Sequence, residues 1–423
     1  MTAIDPTADV DPTLPGLDWF FDSDRLSEVL GRPVRADRLR HKPGTSAVAR
    51  LREAGGGIGW LATYSTDAAA KLEKTFSRSI GSGLAVQQIK VPDYPHHSLV
   101  SGPIELDHRL YRPMRPFRSE GFGWIFVDRA VEVLNYNPQR RAVFALRHRG
   151  ERLVCKLGAA PPHADGQLLA KLASRGVPVL ETVDRSGLPT SNHVQYFAWF
   201  GSGDLSTVGG NNRTVGGNNQ PFGPGPALPG AAGDAGAASY AAGMALALLH
   251  QQPPPFESHR WRAPAGSLID LVRETSSLLP GITDRLERLR TGLEPLLRRP
   301  GRAALIHGDF SADQVLVDGS DIRLTDFERC TYGAGASDLG SFAAVEILNS
   351  MPLARGTDVL ALPRTAAMLD GYSAGPTGAT ESEVLGWTVF HLLNRLSEPF
   401  RSCSPTWRQD MVNQLDLMED ILW

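Results

Sequence analysis

His307-Gly308-Asp309-Phe310-Ser311-Ala312-Asp313-Gln314-Val315-Leu316-Val317, followed after a short gap by Leu324-Thr325-Asp326-Phe327-Glu328, is the stretch from which the rest of the chain is read. Val315-Leu316-Val317 and Ile322-Arg323-Leu324 have the apolar content of two short strands, and Asp318-Gly319-Ser320 between them has that of a turn. The hairpin so formed returns Gln314 and Asp326 to each other's side. An Asp on the loop before it can take the proton of an attacking hydroxyl. A side-chain carbonyl five positions on and a carboxylate seventeen positions on can hold the Mg²⁺ ions of a bound nucleotide.

This constellation resembles the aminoglycoside phosphotransferase and choline kinase superfamily, small-molecule kinases with a protein-kinase-like fold. The motif of that superfamily is His-Gly-Asp, then Asn, then Asp-Phe or Asp-Trp followed by an acidic residue. The resemblance implies that Asp309 is the catalytic base, Asp326 the principal metal ligand, and Gln314 a ligand standing where Asn is usual. Gln keeps a neutral carbonyl on a stem one methylene longer, so metal binding remains feasible. Glu328 adjoins the metal ligand and suits either the ions or an acceptor hydroxyl. Gln314 with Asp326-Phe327-Glu328 looks most like the actinobacterial maltokinase and glucosamine kinase branch, although the residues after Glu328 depart from that pattern. Asp338, within Gly333-Ala334-Gly335-Ala336-Ser337-Asp338-Leu339-Gly340, resembles the kinase-fold Asp that anchors the catalytic loop from a helix start, and His307 belongs to the same scaffold. His-Gly-Asp alone is as often a turn as a site. The order, the spacing and the flanking strands together carry the reading.

Upstream, Leu134 to Leu146 and Arg152-Leu153-Val154-Cys155-Lys156-Leu157 read as strands joined by turns, the last one carrying a lysine. A helix through Leu168, Leu169 and Leu172 follows, then strands at 177–180 and 193–200. Lys156 matches the strand lysine that meets the ATP phosphates in the superfamily. Trp199, Phe200 and Gly201 fall in the hinge, where backbone groups usually meet adenine. No Gly-x-Gly-x-x-Gly covers the phosphates, and the turn Asn137-Pro138-Gln139-Arg140-Arg141 takes its place, with backbone N–H groups and Arg140 as phosphate contacts. The usual helix Glu is also missing, Asp165 and Gln167 being the nearest substitutes for a Lys156 partner.

An internal repeat lies further upstream. Residues 39–51 align with 134–146 at a separation of 95, sharing Leu at both ends, Pro at one offset and an Ala-Val core. Where the second copy has Lys156 the first has Ala62 or Thr63, so it cannot bind a nucleotide the same way. The expected fold class is therefore α+β: a two-lobed, protein-kinase-like fold with an additional N-terminal lobe-like cap. The expected divisions are a tail over 1–23, the cap over 24–118, the N-lobe and hinge over 119–203, and a helical C-lobe over 204–423. The tandem Thr-Val-Gly-Gly-Asn-Asn and the Pro/Gly/Ala-rich run after it, within 204–237, read as a flexible insertion. Helical periodicity resumes over 238–250 and 267–298.

Composition sets outer limits. With 423 residues, 42% hydrophobic and 21% charged, the chain suits two or three compact soluble units. A net charge of −3 gives no support to nucleic-acid or anionic-membrane partners. The acidic start and the lack of long apolar runs point to a cytoplasmic protein. Cys155, Cys330 and Cys403 are too scattered for a disulfide framework or a zinc site. Only six of the 43 basic residues are Lys, so a lysine at 156 stands out against an Arg-rich background.

The acceptor is less legible. Glu346, Asp370, Glu381, Trp387, His391, Asn394, Glu398 and Trp407 include carboxylates suited to ammonium groups and rings suited to sugar faces, each more simply core or surface. The leading reading is an ATP- and Mg²⁺-dependent kinase of a small hydroxylated metabolite, such as a sugar, amino sugar or aminoglycoside-like compound. The alternative is a nucleotide-binding pseudokinase or regulatory module, suggested by the missing glycine motif and helix Glu, and opposed by the retained Asp309 and Asp326.

Overall fold

The structure, a computed structural model, describes residues 10–208 apart from 69, 93, 165 and 185, then 234–253, 264–298, and 303–423 apart from 376 and 377. The bulk of the Gly/Asn/Pro-rich insertion and Asp165 lie outside the described residues.

Helix α1 (Ser23–Leu30) leads into strands β1 (Val34–Lys42), β2 (Ser46–Glu53) and β3 (Ile58–Tyr64), helix α2 (Ala70–Ser82), and strands β4 (Gln87–Val91) and β5 (Tyr94–Pro103). These five strands form one antiparallel sheet in the order β1-β2-β3-β5-β4. Short α3 (Arg115–Ser119) bridges to a second sheet, β6 (Glu132–Asn137), β7 (Arg141–His148), β8 (Glu151–Gly158) and β9 (Val194–Ala198), with α4 (Gly166–Ala173) between the last two strands. Residues 177–180, expected as a strand, make only a bridge from Val179 to Leu324.

Period-two burial explains how the sheets stack. On β7 and β8, Ala142, Phe144, Leu153, Cys155 and Leu157 point into an apolar layer shared with Val48, Trp60, Ala62 and Val100 of the first sheet. The opposite face of the first sheet, with Ala47, Ala49, Leu51, Leu61 and Leu99, packs on C-terminal helices. Strand β2 is thus covered on both sides and is buried along nearly its whole length, including Arg50 and Arg52. Both guanidinium groups are neutralised by Asp37, at 2.5 Å from Arg50 Nε and 3.0 Å from Arg52 Nε.

The two sheets share a register. Val48 on β2 faces Ala62 on β3, and Val143 on β7, which is 95 positions later, faces Lys156 on β8. An irregularity interrupts the first strand of each set at the same place, between Asp37 and Arg40 in one and between Val133 and Asn135 in the other. Of the two positions offered by sequence, the register therefore equates Ala62 with Lys156, and Ala62 is sealed between the sheets.

The start of the chain departs from expectation. Over its described part, the segment read as a tail is core: Leu14, Leu17, Trp19 and Phe20 are buried beneath the first sheet and the C-terminal helices. Asp11 holds His41 Nε2 and the Gly44 N–H, each at 2.9 Å. Apolar residues too few to show a period still bury when a groove waits for them.

The remainder is mainly helical. Strand β10 (Gly203–Asp204) leads to helices α5 (Ala235–His250), α6 (Pro264–Leu278) and α7 (Thr283–Arg298), then to strands β11 (Ala303–Ile306), β12 (Val315–Asp318), β13 (Asp321–Leu324) and β14 (Thr331–Ala334). Helices α8 (Gly335–Ser350), α9 (Pro363–Ser373), α10 (Glu381–Arg395), α11 (Glu398–Arg401) and α12 (Trp407–Leu422) complete the chain. The single helical run expected over 267–298 is broken by a short 3-10 turn at Pro280–Ile282, because Pro280 lacks the N–H that an α-helix interior needs. Hairpin β12–β13 pairs Val315 with Leu324 and Asp318 with Asp321, as the sequence predicts, and β10 adds to its edge. Val315, Val317, Ile322 and Leu324 anchor it in a core with α5, α8 and Phe310.

Candidate active site

The loop before the hairpin is fixed from beneath. Asp338, fully buried in the first turn of α8, accepts from the backbone N–H of His307 at 2.6 Å and of Gly308 at 2.8 Å, and meets His250 Nε2 at 3.1 Å. Burial alone would raise its pKa, but the His250 hydrogen bond and nearby imidazoles outweigh that and hold it below the usual range. The His250 Nδ1 also meets Tyr372 Oη at 2.9 Å, so both ring nitrogens are engaged. His307 Nε2 reaches the Thr325 carbonyl at 2.8 Å, tying the loop to the residue just before Asp326. Gly308 has φ +82°, and a Cβ there would sit 2.3 Å from the Arg329 carbonyl oxygen, so only glycine allows the loop to pass.

Asp309 follows at the loop's tip, half-buried, with Oδ1 3.2 Å from Arg395 of α10 and 3.4 Å from Arg329. Ser311 bonds Asp313, whose second oxygen receives the Gln314 amide at 3.2 Å. Burial, with Asp309 nearby, pushes the Asp313 carboxyl up against the opposing Ser311 bond. Asp204, on β10, is pushed up to about 6 by burial, against its Ser206 bond and with added repulsion from Asp313.

On the other side, Lys156 Nζ lies 2.7 Å from Asp326 Oδ1 and 2.9 Å from Glu328 Oε1. Arg141 completes the cage, with Nη1 3.0 Å from Asp326 Oδ1 and Nη2 2.9 Å from Oδ2. Burial would raise the Asp326 pKa, but Lys156 and Arg141 drive it far below the carboxylate range. Asp326 adopts φ +63°, a conformation that costs a non-glycine residue about 1 kcal/mol or more and is held here by two cations. Glu328 Oε2 also accepts the His163 N–H at 3.0 Å.

These groups fit a nucleotide-bound divalent cation. Two carboxylates already converge on one ammonium, and the Thr325 N–H bonds the Gln314 carbonyl at 3.0 Å, which sets the Gln314 backbone beside the Asp326 strand. Among the described residues no three His, Cys, Asp or Glu side chains form a ready-made metal cluster. Mg²⁺ binds with few protein ligands and shares the rest of its shell with phosphates and water.

A cleft of about 1880 Å³ joins Lys156, Asp309, Gln314, Asp326 and Glu328. Arg140, expected at the phosphates, also lines it, but it is the next residue, Arg141, that reaches Asp326. The Trp199 and Phe200 side chains lie outside the lining, with Arg152 3.5 Å above the Trp199 ring and Arg323 4.9 Å from the Phe200 ring. Gly201 has φ +66° and approaches the Val317 carbonyl so closely that a Cβ would lie 2.1 Å from it. The helix partner sought for Lys156 is replaced by Asp326 and Glu328, Gln167 being exposed.

Of the acceptor candidates, Asn394 and Glu398 line the cleft. Glu346 instead caps α9 through the N–H groups of Arg364 and Thr365, Trp407 is buried against Phe400, and Asp370 and Glu381 are exposed. His391 is buried with Nε2 3.0 Å from Ser337 Oγ, and burial in a basic surrounding lowers its pKa to about 3. Sequence reading missed Arg395, Asp204 and Asp313. Asp313 lies inside the recognised run, whereas Asp204 on β10 and Arg395 on α10 are distant in sequence and are brought in by packing.

Among solved structures, the chain is similar to a choline/ethanolamine kinase family protein from Mesorhizobium loti, with 16% identity over 69% of this chain and 87% of that one and a TM-score of 0.45. It is also similar to a macrolide 2'-phosphotransferase from Brachybacterium faecium, with 15% identity, 82% and 98% coverage and a TM-score of 0.43. A spectinomycin phosphotransferase solved with ADP and spectinomycin gives 12% identity, 66% and 90% coverage and a TM-score of 0.45. No curated protein matches the chain. No helix among the described residues is long and apolar enough to cross a membrane. The profile of the phosphotransferase enzyme family matches residues 138–364, more than half of the chain and the whole span from the Arg140 turn through Asp338, and the chain belongs to that family.

Proposed function

We propose that this chain is an ATP- and Mg²⁺-dependent kinase that phosphorylates a hydroxyl of a small metabolite, of the sugar, amino sugar or aminoglycoside-like kind. The observation that carries the proposal is the facing of Asp309 and the Lys156–Asp326–Glu328 cage across one cleft within the family-matched span. Asp309 orients the acceptor hydroxyl and takes its proton, with Arg395 and Arg329 fixing its carboxylate. Lys156 moves from the carboxylates to the phosphates when the nucleotide enters, and Arg141 is placed to follow. Asp326, Glu328 and Gln314 would hold Mg²⁺, which supplies neutralisation of charge on the transferred group. The buried Asp338 contacts keep Asp309 in place, so positioning costs little at the moment of reaction.

In this reading residues 24–118 are a degenerate copy of the nucleotide-binding lobe, 119–203 are that lobe and its hinge, and 204–423 form the helical lobe with the catalytic loop. The shared register and the shared strand irregularity support the duplication. Gln314 with Asp326-Phe327-Glu328 favours an acceptor like those of maltokinases and glucosamine kinases. The second reading, a nucleotide-binding pseudokinase, draws on the salt bridges that occupy Lys156. ADP formation with Mg-ATP, followed over sugars, amino sugars, aminoglycosides and nucleosides, tests the choice: acceptor-dependent ADP supports the kinase, and nucleotide binding without it supports the alternative.

A further inference from the structure

The cleft does not end at the cage. Beyond the Asn137–Arg141 turn it continues along the first sheet, where Arg40 of β1 and Arg109 face Arg140 and Arg401. Among the described residues, Arg40, Arg109 and Arg140 make no ion pair, and Arg40 Nη1 is buried without a hydrogen-bond partner. Nearby carboxylates are already engaged. Asp107 accepts from Tyr136 Oη and the Gln139 N–H, each at 2.7 Å, and from the Arg109 N–H at 2.8 Å. Asp37 serves Arg50 and Arg52, and Glu398 pairs with Arg401 at 2.6 Å.

Guanidinium groups gathered along one cleft with their donors unspent repel one another, a cost that an entering oxyanion removes. Arg140 shows the strain: partial burial and then Arg401, Arg40, Arg329 and Arg141 all lower its pKa, with no acid among the principal influences. Arg40 is lowered first by burial, then by Arg109, with Asp107 opposing.

We infer that this arginine-lined end of the cleft is a subsite for an oxyanion, phosphate ester or carboxylate, carried by the acceptor. The inference rests on the kinase reading and narrows its substrate class. The nucleotide has its own basic pair, Lys156 and Arg141, at the Asp326 end. Arg329 links the two regions, since it pairs with Asp309 at 3.4 Å and adds to the positive field at Arg140. An anion held by Arg40, Arg140 and Arg401 therefore brings the rest of its molecule toward Asp309. A polycationic acceptor would meet repulsion there. The first sheet, which has lost its own lysine position to Ala62, gains a role by lending Arg40 and Arg109 to the acceptor.

Inorganic phosphate is the probe, titrated by calorimetry into the full chain saturated with Mg-ADP, at ionic strength matched with chloride. One phosphate site is expected, with Arg40→Gln weakening it at least about tenfold while Mg-ADP affinity stays within about twofold. Arg109→Gln, at an exposed position, gives the same reading if Arg40→Gln fails to fold. No phosphate binding above the chloride control, or unchanged binding in the folded variants, overturns the subsite. A fall in Mg-ADP affinity in step with phosphate would overturn it too, by assigning the arginines to the nucleotide. Absence of Mg-ADP binding to the unaltered chain would instead sink the kinase reading, and phosphate titrated without nucleotide would still report on the subsite.

Discussion

Lys156 Nζ sits 2.7 Å from Asp326 Oδ1 across 170 positions of sequence, and the same ammonium is 2.9 Å from Glu328 Oε1. The cation assigned to the phosphates and the carboxylates assigned to the metal thus neutralise each other before any nucleotide arrives. In the proposed kinase, Mg-ATP would exchange these partners, metal for lysine on the carboxylates and phosphate for carboxylate on the lysine. Lys156→Ala should lower ATP affinity and turnover together, by about 10-fold or more each, and Lys156→Arg should recover only part, since a planar fork replaces a point charge. Calorimetry with Mg-ATP and the rate of ADP formation measure the two effects. Full activity in Lys156→Ala would transfer the phosphate role to Arg140 or Arg141.

Asp326→Ala should abolish Mg²⁺-supported ATP binding. It removes the carboxylate shared by Lys156 and Arg141, leaving Glu328 as the remaining acidic donor beside the lysine. Titration of ATP with and without Mg²⁺ separates the metal contribution from direct phosphate contacts. Normal Mg-ATP binding in this variant would displace Asp326 from the metal.

Asp338→Ala should destabilise the fold by on the order of 3 kcal/mol, because two buried N–H groups and His250 lose their common acceptor. Turnover should fall further than nucleotide affinity, since the loop carrying Asp309 loses its anchor. Urea denaturation and steady-state kinetics give the comparison. A variant with unchanged stability would deny Asp338 its anchoring role.

Asp204 gives a pH signature. Its folded pKa of about 6 stands above the ordinary carboxyl value, so the folded chain holds this proton more tightly than the unfolded one. The stabilisation is complete below about pH 4 and is lost as pH rises through about 6. Asp204→Asn, which has no charge to bury, should therefore gain on the order of 2 kcal/mol relative to the unaltered chain between pH 4.5 and 7.5. Urea denaturation at the two pH values measures it, and equal pH dependence in the two proteins would contradict the assignment.

Much of this site was legible because it is local. Hairpin β12–β13 announces itself by apolar alternation around a Gly-containing turn, and it alone brings the Gln314 backbone to the Asp326 strand. Lys156 stands out as a lysine in an arginine-rich chain. Arg141 and Arg140 are adjacent in one turn, and nothing in the sequence says which guanidinium faces Asp326; strand register decides it, Arg141 opening β7 opposite Gly158. Arg395 reaches Asp309 from a helix 86 positions away, a contact set by helix packing. Likewise Leu14, Leu17 and Phe20 show no period, and only the groove between the first sheet and the C-terminal helices makes them core.

The most direct test of the account is the pair of measurements on Asp309→Asn: Mg-ATP affinity by calorimetry, and acceptor-dependent ADP formation with an acceptor that the unaltered chain phosphorylates. The account predicts nucleotide affinity within a few-fold and turnover lower by about 100-fold or more, the scale of losing a catalytic base. Turnover equal to that of the unaltered chain would contradict it.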